Sequence, residues 1–178
     1  MGYPFRSRLE HDPQGDVAVI QMKDIDDANR LHAEDALKVS LPTGKARHLL
    51  RTGDLLFRSR GRSYGAAQVL EGVGAAVLAA PMLLIRPRSA LPTYLCWYLN
   101  LPSTQAALAA LAVGTSVQMI SKESLIALPV PIPDLNRQRQ IVDVFALAQR
   151  AHTLATEIAA KEMRLNEQKL LRYAKNSR

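Results

Sequence analysis

Apolar residues follow two different patterns along this chain, and the change comes near Pro133. Before it, short apolar runs are broken by Gly and Pro, the pattern of strands and turns. Residues 17–22 (VAVIQM) read as a strand, as do 54–58 after the turn residue Gly53, 66–70, and 76–85, the last ended by Pro87. Helical periodicity interrupts them at 92–99 and 102–111. Each has a proline in its first turn, where the missing N–H costs no hydrogen bond. Ser121 is placed to cap a short turn over 122–125. Residues 127–132 (ALPVPI) carry prolines that cannot donate to a ladder, so this is an edge strand or an extended connector.

After Pro133 neither Gly nor Pro occurs, and the stretch from Leu135 onward reads as one long helix with Asp134 placed to cap it. Val144, Ala151, Ile158 and Leu165 recur every seventh position, with Leu147 and Leu154 three further on. That is an a/d seam, which weakens where Lys161 and Gln168 take the later d positions. About 40 residues at ~1.5 Å each make roughly 60 Å, longer than a small domain is wide. Such a helix is expected to project, and its apolar stripe then needs a partner. The plainer alternative is an amphipathic helix packed on its own domain. The expected fold is α+β: a compact mixed β-sheet domain with short helices over 1–133, then a long projecting, coiled-coil-forming helix over 134–178.

Composition narrows the class. Of 178 residues 48% are apolar and 22% charged, so a packed core is expected. Lys and Arg number 23 against 16 Asp and Glu, a net +7 that favours polyanionic partners. One cysteine, Cys96, allows no internal disulfide and points to a reducing compartment. With no signal-peptide pattern and no apolar run of membrane-spanning length, a cytoplasmic protein without membrane partners is expected.

The charge is concentrated. Lys45, Arg47, Arg51, Arg58, Arg60 and Arg62 face only one acid, Asp54, in the same stretch. Arg58, Arg60 and Arg62 alternate, so on an extended chain they would share one face. Such an array suits phosphate contact, and an arginine at its end could take guanine O6 and N7 together. Ser63 and Tyr64 could add neutral hydrogen bonds. The alternative is a solvated, positively charged hairpin. A second candidate is the loop opened by Gly114, where Thr115, Ser116 and Gln118 offer short polar groups and Lys122 begins a short helix. Residues 23–35 read as a solvated loop in which Lys23 and Arg30 are lesser cationic candidates. Trp97 and Tyr98, within an apolar helical run, read as core. Histidines 11, 32, 48 and 152 have no metal-ligand spacing with Cys96, and neither a P-loop nor a GxGxxG turn is present. The expectation is a non-catalytic chain with no metal or cofactor of its own.

Four segments occur in a telling order: GDLLF at 53–57, GTSVQMIS at 114–121, LIALPVPIPDL at 125–135 and RQIV at 139–142. Together they resemble the half-repeat of the specificity subunits of Type I restriction–modification systems. Two departures stand out. Arg139 occupies a position where such proteins usually carry Glu, and the chain holds one half-repeat where full-length members hold two. The resemblance implies a target-recognition domain that reads one half of a split site on double-stranded DNA, with the helix as a spacer. It also implies self-pairing through Val144, Leu147, Ala151, Leu154, Ile158 and Leu165, giving a homodimer and a palindromic bipartite target. S-adenosylmethionine would reside on a partner modification subunit, and a restriction subunit is a further candidate partner. The competing expectation is a protein-interaction and assembly module, or an inactive relic that binds modification subunits without reading DNA.

Overall fold

β1 (Val17–Ile20) is buried along its whole length, which a four-residue apolar run achieves only when both its faces are covered. In the computed structural model, which describes residues 2, 3, 5, 10–40, 48–61, 63–114 and 118–175, β1 is the centre of a three-stranded sheet. It pairs antiparallel with β2 (Leu37–Val39) and, across a crossover, parallel with β5 (Ala76–Leu78). A second three-stranded sheet is all antiparallel, with β3 (Leu55–Phe57) between β4 (Ala66–Gln68) and β6 (Leu83–Ile85).

Side-chain alternation assigns the faces. Val17 and Val19 pack on one side of the first sheet with Val77 and Ala79. Ala18 and Ile20 turn the other way, into a core shared with Leu56 and Ala67 of the second sheet. Leu55 and Phe57 point to the opposite face of that second sheet. There they meet the helices α1 (Pro92–Leu99), α2 (Pro102–Leu111) and α3 (Lys122–Ala127), through Leu99, Leu108 and Leu125. The result is the expected α+β arrangement of small mixed sheets with short helices.

Two side-chain amides complete the edge of β4. Asn100 accepts from the Ala66 N–H at 2.9 Å and donates to the Ala66 carbonyl at 2.8 Å. Gln105 does the same for Tyr64, at 3.1 and 3.0 Å. Each amide stands in for a strand neighbour, so the edge is closed to another strand at Tyr64 and Ala66. Gly53, at φ 87°, turns into β3 with Pro92 packed 3.1 Å from where a β-carbon would lie, so a side chain there would be both strained and crowded.

The expected strand over 76–85 is two strands in different sheets. Pro81 cannot donate to a ladder, and the chain leaves the first sheet at Leu78 to enter the second at Leu83. β2 lies beyond any strand foreseen, and the first strand stops at Ile20, before a 3-10 turn at Met22–Asp24. Residues 129–134 form no ladder; the proline-rich stretch is a connector. It is held to α1 by the hydroxyls of Tyr94 and Tyr98, which donate to the Pro131 and Pro129 carbonyls at 2.8 and 3.3 Å.

α4 (Leu135–Lys175) is one helix of 41 residues, about 60 Å at ~1.5 Å per residue. Asp134 caps it, its carboxylate accepting from the Arg137 N–H at 3.0 Å, and Arg172 and Lys175 in the last turn oppose the helix dipole. Gln138 is 1% exposed and donates to the Pro133 carbonyl at 2.7 Å while accepting from the Leu91 N–H at the start of α1 at 2.8 Å. By internal contacts Met1–Gln138 form one unit and Arg139–Arg178 a second. In the second, the seam side chains Val144, Leu147, Leu154, Ile158 and Leu165 are all more than half exposed. Among the described residues no helix is long and apolar enough to cross a membrane.

Candidate nucleic-acid interface

β3 runs out into residues 58–61, and this exit strand is covered by the segment that follows α2. The Ser59 carbonyl accepts from the Ile120 N–H at 2.7 Å, and Arg60 pairs with Met119 in an antiparallel bridge. Met119 pairs in turn with Val113, their N–H and carbonyl groups exchanging bonds of 2.9 and 3.1 Å. Ser59 also ties the strand to the turn at Pro81, its hydroxyl donating to that carbonyl at 2.9 Å. Ser121 then starts α3, accepting from the Ser124 N–H at 3.0 Å, as its position before Lys122 suggests. The basic segment and the polar segment are therefore stitched together.

Their exposed side chains are Arg60, Ser63, Gln118 and Lys122, with Met119 at 41% and Val113 at 63% beside them. Two cations, two neutral hydrogen-bonding groups and two apolar ones can meet phosphates, base edges and thymine methyls. Lys45, Arg47, Arg62, Thr115 and Ser116 lie outside the described residues. Arg51 is exposed, while its N–H donates to the Asp54 carboxylate at 2.8 Å.

Two expected contact residues lie inward. Arg58 and Arg60 do not share an open face, because Arg58 is 9% exposed and Arg60 is exposed. Residue 58 follows Phe57 directly, and its guanidinium Nη2 donates to the Asn29 amide oxygen within the body of the unit. Tyr64 is 6% exposed and belongs to the core beneath the helices. Its ring is occupied in packing, so a base contact would have to come from its neighbours.

Three features were not legible beforehand. Asp54, the acid within the basic stretch, is 1% exposed and takes both ends of the Arg86 fork at 2.7 Å. The register explains it: Leu55 faces Ile85, so one step outward Asp54 faces Arg86. The stretch 23–35 is a built turn. Asp26 accepts from the Arg30 N–H and side chain at 2.8 Å each, and His32 lies between Asp26 and Glu34 at 3.2 and 3.3 Å. The Arg30 backbone N–H, the largest cause, holds the Asp26 carboxyl well below the usual range, while Asp26 and then Glu34 push the His32 ring up. Third, a groove of about 660 Å³ lies between β6, α1, α3 and the connector. Its lining is mostly leucine, isoleucine and valine, with Arg86, Arg88 and Lys122 as its charged members.

Trp97 and Tyr98 are partly buried on α1, their rings 6.3 Å apart. The Cys96 thiol is pushed up to about 11 by burial and donates to the Ala66 carbonyl at 3.3 Å, so it is not a nucleophile at neutral pH. Among the described residues no group of three or more His, Cys, Asp or Glu side chains is placed to hold a metal ion. Compared with known proteins, the chain matches no family model, and no curated protein matches it significantly.

Proposed function

We propose that the chain is the specificity component of a Type I-like restriction–modification complex: a module that recognises double-stranded DNA and carries no catalytic step itself. DNA lies against the surface where Ser59 and Arg60 meet Met119 and Ile120, beside Ser63, Gln118 and Lys122. α4 pairs with the α4 of a second copy through Val144, Leu147, Ala151, Leu154, Ile158 and Leu165, so two modules read the halves of one split site. A modification subunit supplies S-adenosylmethionine and the methyl transfer. The observation that carries this is the backbone pairing of the two candidate segments, Ile120 to Ser59 and Arg60 with Met119, which gathers Arg60, Gln118 and Lys122 on adjoining exposed positions. The overall +7 charge supports it, as does the run of motif-like segments in family order.

The test is duplex binding as a function of salt. Affinity should fall steeply between ~50 and ~200 mM, and Arg60→Ala with Lys122→Ala should flatten the log–log slope by roughly two. Leu154→Asp with Ile158→Asp should abolish self-association and leave the folded β-domain intact. No duplex affinity at ~50 mM salt, even with the modification subunit present, would sink the reading.

The apolar groove along β6 and α3 favours a second reading, an assembly module that holds a protein partner. Binding through it would change little with salt, which separates the two.

A further inference from the structure

The 26–30 turn delivers one side chain to the edge of the candidate interface. Asp26 and Arg30 close it, the Asp26 N–H donating to the Arg30 carbonyl at 3.0 Å and the Asn29 N–H to the Asp26 carbonyl at 3.0 Å. Asn29 sits at its tip with φ 58°, a left-handed conformation that asparagine tolerates better than most residues. Its amide oxygen accepts from Arg58 Nη2. A β-carbon on Gly65 would collide with that amide, so glycine at 65 is what lets the amide lie there. Gly65 also accepts from the Arg58 N–H at 2.9 Å. The 26–30 turn thus supplies the one partner of this guanidinium, and Gly65 leaves the room that partner needs.

That guanidinium is held in an unusual way for a buried one. Arg58 is 9% exposed, its Nε has no hydrogen-bond partner, and no carboxylate pairs with it. Every Asp and Glu of the chain is among the described residues. A buried charge left with a neutral acceptor and a spare donor is poor design for stability. It is good design for a donor kept charged for something else. An aspartate at 29 would quench the field, whereas asparagine fixes the guanidinium and leaves its charge intact.

We propose that Asn29 is the positioning residue for Arg58, and that Arg58 contributes base reading, with guanine, whose O6 and N7 together match the planar fork, as the preferred partner. This rests on the DNA-reading proposal above. Asn29 holds Nη2 while the Nε–H, which has no partner, stays available to a base; Arg86 has no such spare pair, since its Nε and Nη2 both donate to Asp54.

The experiment selects duplexes from a randomised library with the full chain at ~50 mM salt. Arg58→Lys, Asn29→Ala and Asn29→Asp should each lose a guanine preference at the same base pair, from about tenfold or more to under about threefold. Their salt slopes should stay those of the unmodified chain. Asn29→Asp separates positioning from mere structure: it should raise the melting temperature through a new ion pair while losing the preference. If Asn29→Asp keeps the preference, or Asn29→Ala weakens all duplexes equally, the inference is overturned. If the unmodified chain selects no sequence, the DNA reading itself falls and this inference falls with it.

Discussion

Two arginines leave opposite ends of the same strand pair, and the protein treats them in opposite ways. Arg86 follows β6 and faces Asp54 across the sheet, which takes its fork at 2.7 Å on both sides. Arg58 follows β3, and the same register, with Phe57 facing Leu83, puts Met82 opposite it. Met82 is fully buried and offers no charge, so Arg58 reaches sideways to Asn29. One end of the sheet is neutralised and serves stability. The other retains a positive charge next to the place where Ser59 and Arg60 pair with Ile120 and Met119. Burial does not decide the pairing: Arg58, 9% exposed, is held by a neutral amide, while Arg86, with 38% of its side chain exposed, is the one that takes the carboxylate.

The sharpest way to break this comparison is to remove each arginine's charge while keeping its bulk. Arg86→Met strands a carboxylate that is 1% exposed and should cost about 3 kcal/mol, at the low end for a broken buried pair because Arg86 keeps part of its surface in water. Urea unfolding followed by circular dichroism measures it. A loss below about 1 kcal/mol would show that Asp54 is satisfied without Arg86.

Gly65→Ala should come next, at about 1–3 kcal/mol, because its β-carbon must displace the Asn29 amide. In an Asn29→Ala background most of that cost should vanish, a coupling of about 1 kcal/mol or more in a double-mutant cycle. Additive losses would mean that the amide does not lie against Gly65.

Arg58→Met is expected to stay within about 1 kcal/mol of the unmodified chain in either direction, since it removes a buried charge that no carboxylate neutralises. A loss as large as that of Arg86→Met would erase the contrast.

How much of this is legible in the sequence depends on how far apart the deciding residues are. α1 and α2 are written locally, in a proline at the first position and an apolar period, and both begin and end where those signals place them. α4 likewise begins where its capping Asp134 places it, at the head of an unbroken run without Gly or Pro. The strand over 76–85 misleads because its apolar residues are continuous, although Pro81 carries the signal for the break. The alternation of Arg58 and Arg60 is visible, but that Arg58 turns inward depends on the turn carrying Asn29, 29 residues earlier in the chain. The Asp54–Arg86 pair requires knowing that β3 and β6 are neighbours, which no local pattern states. Gln138 looks like a surface residue of a long helix. Its burial follows from the start of α1 lying over it.

The smallest effect concerns the turn that carries Asn29. His32 has its pKa raised above 6.5, chiefly by Asp26 and then Glu34, and Asp26 has its own lowered below 3.8, chiefly by the Arg30 N–H. A histidine whose folded value is raised adds stability that is complete below the unfolded value and fades as pH rises through the folded one. A carboxyl whose folded value is lowered adds stability that is complete above the unfolded value and fades as pH falls through the folded one. Both contributions are therefore present between about pH 4 and 6.5, and the histidine's is withdrawn first on the way up. All three side chains lie at the surface, so water screens the effect and the fold as a whole should hardly respond. The Asn29 amide should: its hydrogen exchange, corrected for the intrinsic pH dependence, is expected to be slowest in that window. Asp26→Asn should bring the His32 ring titration, read by NMR, back toward its ordinary value and flatten the Asn29 profile. A His32 that titrates at or below the ordinary value would disconnect this turn from Arg58, and the difference between the two arginines would then rest on Asn29 alone.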